Sequence, residues 1–397
     1  MSTHSVAARP AAPPASGLAI GVLAVAAFAI VSTEFLIVGL LPAMARDLAL
    51  SVSAAGQLVT LFAFTVMLAG PFLTAALSHL ERRRLFTAIL LVFAAANALA
   101  ALASDLWVLA LARFIPALAL PVFWGTASET AAQLAGPSRA GQAVSRVYLG
   151  IAAAMLFGIP LGTLAASAVG WRGSFWALAA LSLLLAALTR AGLPALPQPA
   201  RPPLRRQARL LKNPLLIANV ALSVTVFTAM FTAYTYLADI LERLAGVPPQ
   251  DVGWWLMGFG AAGLAGNWLG GRAVDRRPLG ATLVFTGLLG LGALASTALA
   301  GASAWRLPAL AAWSIANTAL YPVCQVRVMK AAPQAQALAG TLNVSAANAG
   351  IGLGAMLGGM AIPQWGLASV GGAAAAVALL AVLAVPCIAR IRPAGGH

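Results

Sequence analysis

The chain has 397 residues, 61% of them hydrophobic and 8% charged, with a net charge of +15. A soluble domain carries roughly 25% charged residues, and no single aqueous core of this size hides so much apolar surface, so the soluble classes are excluded. Apolar stretches recur along the whole length, each long enough to cross a hydrocarbon layer about 30 Å thick, and without water to satisfy the backbone they must be helical.

Residues 1–17 form a polar, proline-bearing tail, and span 1 is expected over about 18–42. This run ends in Pro42-Ala43-Met44-Ala45, similar to a signal-peptidase site. It is longer than the roughly 7–15 residues of a signal core and contains Glu34, so it reads as a retained span. Spans 2 to 6 follow over about 55–77, 85–103, 107–133, 143–168 and 173–191. The interval 192–213, with Pro194, Pro197, Pro199, Pro202, Pro203 and an arginine cluster, is too polar to span and too rich in proline for a continuous helix. It is expected to be a cytoplasmic linker between an N-terminal six-helix bundle, 18–191, and a C-terminal one, 214–390. Spans 7 to 12 are expected over about 214–240, 252–273, 280–302, 306–329, 339–362 and 368–389, with a short tail at 391–397. The expected class is all-α integral membrane, twelve transmembrane helices in two pseudo-symmetric bundles.

Charge placement tests that count. With the amino terminus inside, 19 of the 24 Lys and Arg fall on cytoplasmic loops or span ends. Arg46, Arg172, Arg243 and Arg306 fall outside, and Arg113 falls within span 4. The positive-inside rule demands this asymmetry. It implies a multi-pass protein of a bacterial inner membrane with both termini cytoplasmic, and it makes the basic charge a matter of topology, with no nucleic-acid partner. Cys324 and Cys387 are isolated thiols, read as packing residues, and no metal site is expected.

The halves echo each other. Gly158 and Gly162 match Gly354 and Gly358 at an offset of 196, Trp171 matches Trp365 at 194, and the stretch from Ser78 to Arg83 matches Asp275 to Arg277 near 197. Duplicated bundles facing a midplane site are a transporter pattern.

On these residues the chain resembles the major facilitator superfamily, within it the twelve-span drug:proton antiporter and sugar-efflux (arabinose-efflux-like) branch. Span 1 carries Thr33-Glu34-Phe35-Leu36-Ile37-Val38-Gly39-Leu40-Leu41-Pro42, and span 4 carries Leu111-Ala112-Arg113-Phe114. Span 5 ends Gly158-Ile159-Pro160-Leu161-Gly162-Thr163, then Gly170-Trp171-Arg172; span 11 carries Asn343-Val344-Ser345-Ala346-Ala347-Asn348. The loop after span 2 departs from the family's glycine-and-aspartate signature, reading Thr74, Ser78, His79, Glu81, Arg82, Arg83, whereas the second-half copy keeps Gly271 and Asp275-Arg276-Arg277. In span 4 the family's usual glycine is Ala117, and Pro121 adds a kink.

Glu34 lies about eight residues, roughly 12 Å of helix, before Pro42, and Arg113 lies at similar depth. An ionisable group there is a functional candidate. Burial favours a neutral carboxyl and a nearby guanidinium favours a charged one, so Glu34 is expected to carry the coupling proton with Arg113 tuning it. The alternative is a static buried pair joining spans 1 and 4. Glu129 is expected to pair with loop charges, and Asp239 to be hydrated at the end of span 7. Gly158, Pro160 and Gly162, and separately Asp275, Arg276 and Arg277, are gating candidates, against ordinary close packing and a topogenic loop. Tyr148, Tyr234, Tyr236, Asn317, Tyr321, Gln325, Asn343 and Asn348 are substrate candidates, against helix-to-helix hydrogen bonding. Trp107 and Trp305 read as interface anchors.

No phosphate-cradling loop, Cys-x-x-Cys or His-x-x-x-His pair is present, and His4, His79 and His397 lie in termini or a loop. No catalytic residue or cofactor is expected, and an ion gradient is the remaining energy source. The expected function is export of a small molecule (a sugar, nucleoside or drug-like compound) by a monomer in the lipid bilayer, coupled to protons. A proton symporter or uniporter importing a nutrient is the alternative. A transporter-derived sensor would need a cytosolic domain for which the short final tail leaves no room.

Overall fold

The computed structural model describes residues 14–77, 79–136, 140–194, 196, 213–301, 303–333 and 336–391. The expected linker at 192–213 lies almost entirely outside the described residues, as do most of both tails. Among the described residues there is no strand. Span 1 is Pro14–Asp47, span 2 Val52–Leu77, span 3 Arg82–Ala101 and span 4 Leu106–Ala135. The starts of spans 3 and 4 are capped by acids: Glu81 accepts from the Arg83 and Arg84 amides, and Asp105 from those of Trp107 and Val108.

Span 5 runs through Ala140–Ala153, a π-helical turn at Ala154–Gly158, and into the helix Ile159–Gly192. Pro160 has no N–H to give, and the wider turn before it absorbs the missing bond. That last helix is broken at Gly170, with φ 75 and ψ 161, where span 5 ends and span 6 begins. Glycine adopts this backbone without the Cβ clash of other residues. Span 7 is Pro214–Tyr234, interrupted at Thr235 and Tyr236, and continued by Leu237–Asp239 and a π-helical turn Ile240–Leu244. Span 8 is Val252–Arg276, span 9 Pro278–Ala298, span 10 Ser303–Lys330, span 11 Gln336–Trp365 and span 12 Ser369–Ala389.

Among the described residues nine stretches are apolar and long enough to cross a membrane, one of them Arg146–Gly192, which Gly170 divides into spans 5 and 6. Spans 8 and 10 have the length, at 25 and 28 residues, but are more polar. They meet each other through that polarity. Ser314 Oγ donates to the Phe259 carbonyl, and Thr318 Oγ1 to that of Gly263 at 2.6 Å. Glycine lets the backbones approach and hydroxyls bridge them, the usual glue between helices in lipid. The twelve spans are thus complete.

Each packing pair in the first half has its counterpart in the second. Span 1 packs on 5, 2 on 4 and 3 on 6, as 7 packs on 11, 8 on 10 and 9 on 12. The repeat is exact at the glycines. A Cβ on Gly158 would strike Ser32 and one on Gly162 would strike Leu36; a Cβ on Gly354 meets Thr228 and one on Gly358 meets Thr232. All four pairs keep the offset of 196. The tryptophan match does not survive. Gly366, with φ 79, is the counterpart of Gly170 at 196, so Trp171 follows its turn and is 4% exposed whereas Trp365 precedes its own and is 72% exposed.

The halves meet along two seams related by the same repeat, span 2 on span 11 and span 5 on span 8. Ser53 Oγ donates to the Gly359 carbonyl, and Thr60 Oγ1 to that of Gly352 at 3.2 Å, two turns deeper. Gly253 faces Leu164, and Gly260 faces Met155 and Leu156. Arg46 and Glu242 add an ion pair between the ends of spans 1 and 7. These contacts lie in the half of each span nearest the face that carries Asp47.

Candidate functional site

Glu34 is half buried on span 1, one residue before Phe35, which packs against Phe231 of span 7 at 5.9 Å between ring centres. The site therefore sits where the halves face each other. Arg113 reaches span 1 from span 4 and is 2% exposed. Its Nη1 donates to the Thr33 carbonyl at 2.6 Å and its Nη2 to that of Glu34 at 2.7 Å, while its guanidinium lies 4.2 Å from the centre of the Phe62 ring of span 2. Asn97 of span 3 completes the cluster, donating to Thr33 Oγ1 at 3.0 Å and to the Phe93 carbonyl at 2.9 Å.

The structure brings Glu34 and Arg113 together, but through the main chain. The static pair expected as the alternative would have joined guanidinium to carboxylate. Instead the carbonyls of span 1 and the face of Phe62 take up the guanidinium, and among the described residues no ion pair or hydrogen bond reaches the Glu34 carboxylate. Charge-assisted hydrogen bonds of this kind are worth about 1.5–3 kcal/mol each, so Arg113 is held by two of them plus a cation–π contact. The arrangement fixes a positive charge beside a carboxylate that carries no ion pair among the described residues.

Across the interface stands an aromatic wall. Phe231 packs on Tyr234 at 5.4 Å, Tyr234 on Phe259 at 5.8 Å and Phe259 on Trp313 at 5.5 Å, which links spans 7, 8 and 10. Tyr321 of span 10 packs on Phe227 at 5.3 Å, and Glu34 and Tyr234 both lie close enough to act on it electrostatically. Asn317, one turn before Tyr321, is 3% exposed and its Oδ1 has no partner. Thus Glu34, Tyr234, Asn317 and Tyr321 share one region.

The other candidates are elsewhere. Tyr236 is fully buried, donates to the Ala355 carbonyl at 2.8 Å and fills the space beneath Gly56 and Gly359 in the seam between spans 2 and 11. Asn343 donates to Gln325 Oε1 at 2.7 Å, and Asn348 to the Val344 carbonyl of its own helix at 3.0 Å. Tyr148 is 48% exposed and packs on Trp124 of span 4 at 5.4 Å. Gly158 and Gly162 seat span 5 on span 1, and Pro160 is buried between them. Asp275, Arg276 and Arg277 are exposed, and Asp275 contributes only its main-chain carbonyl to Lys330, at 3.0 Å.

One acid differs from expectation. Asp239 is 1% exposed rather than hydrated, because the break at Tyr236 turns it inward, where Arg243 lies 3.4 Å away. Glu129 does form a charge pair, with Arg82 at the start of span 3, at 2.8 Å. Sequence reasoning missed Asn97, Phe62 and the Phe231–Trp313 wall. Asn97 is an amide inside an apolar span, the same signal that picked out Asn343; the ring contacts have no signature in spacing.

Comparison with known proteins agrees with this architecture. The model of the family described as Major Facilitator Superfamily matches residues 23–344. The inner membrane transport protein YdhP of Escherichia coli (strain K12) is 34% identical over 372 residues, which is 94% of this chain and 96% of that protein. A protein of Pasteurella multocida named "Probable sugar efflux transporter" is 31% identical over 91% of this chain and 89% of its own length. In fold the chain is similar to a bacterial homologue of the lysosomal transporter Spinster in an inward-facing, occupied conformation, with a TM-score of 0.81, 17% identity, and coverage of 98% of this chain and 100% of the other. It is also similar to the nucleoside transporter NupG, with a TM-score of 0.74, 15% identity, and coverage of 94% and 99%.

Proposed function

Because the chain belongs to the major facilitator superfamily, a family of membrane transporters, we propose that it is a proton-coupled exporter of a small hydroxylated or aromatic solute, working by alternating access in a bacterial inner membrane. The observation that carries this reading is the Glu34 carboxylate, placed at the bundle interface without an ion pair while Arg113 is held on the span 1 carbonyls beside it. A proton and a solute can then compete for one site. With Glu34 protonated the solute is released; with Glu34 ionised, beside Arg113 and the hydroxyls of Tyr234 and Tyr321, hydrogen bonds to a solute are available. Asn317 adds an unpartnered amide oxygen to the same region. The relative named as a sugar efflux transporter supports a hydroxylated solute and the outward direction.

The seams at the Asp47 face correspond to a state sealed on one side. With both termini cytoplasmic, as the arginine distribution favours, that side is the exterior, and the residues at 192–213 link the bundles on the cytoplasmic side. Rocking of the bundles would part Ser53 from Gly359 and Arg46 from Glu242. The glycine-packed pair of spans 1 and 5 moves as a unit, with Gly158, Pro160 and Gly162 setting its rigidity, while Asp275, Arg276 and Arg277 meet the cytoplasmic surface. The transporting unit is a monomer. Expression in cells should lower the accumulation of at least one sugar analogue, nucleoside or drug-like compound, and a protonophore should abolish the difference. Accumulation that rises on expression would mean import.

A further inference from the structure

At the arginine-rich end of the second half, a cavity of about 310 Å³ opens between spans 7, 9 and 10. It is lined by Asn219, Arg277, Arg327, Lys330 and the first turn of span 9. Arg327 is 2% exposed, and among the described residues it meets only neutral partners. Its Nη1 donates to Thr282 Oγ1 at 3.0 Å, and its Nη2 to the Asn219 carbonyl at 3.1 Å and Ser223 Oγ at 2.8 Å. Its Nε has no partner. Lys330 donates to the carbonyls of Val274 and Asp275 at 3.1 and 3.0 Å, and Arg277 is exposed at the rim. A buried guanidinium without an opposite charge is costly.

Span 9 also points its start into this cavity. No side chain caps it, Pro278 occupies the first turn, and a Cβ on Gly280 would meet nothing closer than Arg277 Cβ at 3.4 Å. Leu279 and Gly280 line the cavity at the uncapped, positive end of a 21-residue helix, where first-turn amides favour an anion.

The first half shows what is missing. There the start of span 3 is capped by the Glu81 carboxylate, and the buried Arg82 is paired with Glu129 of span 4. At the offset of 196 the counterpart of Glu81 is Arg277 and that of Glu129 is Gln325. Both carboxylates have gone, and the buried cation has moved to span 10. We infer that this cavity binds a phosphate-bearing anion, which supplies to Arg327 and the start of span 9 the negative charge that Glu81 and Glu129 supply in the first half.

Lipid headgroups and free phosphate share that chemistry, and the test separates them. Inorganic phosphate is titrated at constant ionic strength, with chloride as the balancing salt, into the full chain in uncharged detergent, and the thermal midpoint is followed. The same midpoint is compared in nanodiscs of phosphatidylglycerol and of phosphatidylcholine. Because Arg327→Gln can fail to fold, the rim variant Arg277→Gln/Lys330→Gln is measured beside it. A saturable rise with phosphate, its half-saturation shifted at least about tenfold in the rim variant, identifies a soluble ion. A rise in phosphatidylglycerol alone, erased in the rim variant, identifies a lipid headgroup. No saturable rise with either, or a rise that the rim variant leaves unchanged, overturns the inference.

Discussion

Arg113 donates to the main-chain carbonyl of Glu34 at 2.7 Å, not to its carboxylate. Arg113 is thereby a structural clamp on the main chain of span 1 and not an ion-pair partner of the Glu34 carboxylate. It ties span 4 to span 1 through main-chain carbonyls, and among the described residues no ion pair or hydrogen bond holds the Glu34 carboxylate. Replacing the fork by a single ammonium in Arg113→Lys removes one of two directed hydrogen bonds and the stacking on Phe62. The expected result is a thermal midpoint lower by several degrees and transport reduced about tenfold or more, since about 1.5–3 kcal/mol rides on each charge-assisted bond. Unchanged melting and transport in Arg113→Lys would remove the clamp from the account.

Gly158 is predicted to be intolerant of even one methyl group. A Cβ there meets Ser32, and in a packed interface such a change costs about 1–3 kcal/mol. Gly158→Ala and its counterpart Gly354→Ala should both lower the thermal midpoint. Gly258→Ala, where nothing lies within 4 Å, should leave it unchanged or raise it slightly. Equal effects at all three positions would contradict the pseudo-symmetric packing.

The seam between spans 2 and 11 gives a conformational prediction. In a background with Cys324 and Cys387 replaced by serine or alanine, Ser53→Cys/Gly359→Cys should form a disulfide under mild oxidation, because Ser53 already hydrogen-bonds to the Gly359 carbonyl. Locking that face should abolish transport, and reduction should restore it. Full transport by the crosslinked protein would show that the bundles do not separate there.

Much of this was legible in the sequence. Apolar length gave the twelve spans, and Gly170-Trp171-Arg172 marked the seam between spans 5 and 6, because only a residue tolerant of positive φ ends a helix so abruptly. Gly158 and Gly354 announced the repeat, since the same helix-on-helix contact demands the same missing Cβ. Asp239 and Arg327 were not legible. The break that buries Asp239 falls at Thr235 and Tyr236, where no proline or glycine marks it. Arg327 reads as a topogenic charge until folding brings Ser223 and Thr282 to it from two other spans. The Trp171–Trp365 match failed because aromatic residues at membrane ends recur for reasons of anchoring, independently of any repeat.

The most direct measurement is solute uptake into inverted membrane vesicles under an imposed, inside-acidic pH gradient, comparing wild type with Glu34→Gln, for a compound whose accumulation expression lowers in cells. The account predicts that wild type concentrates the compound until a protonophore collapses the gradient, while Glu34→Gln only equilibrates it. Gradient-driven accumulation that persists in Glu34→Gln would contradict it and place the coupling proton on another group.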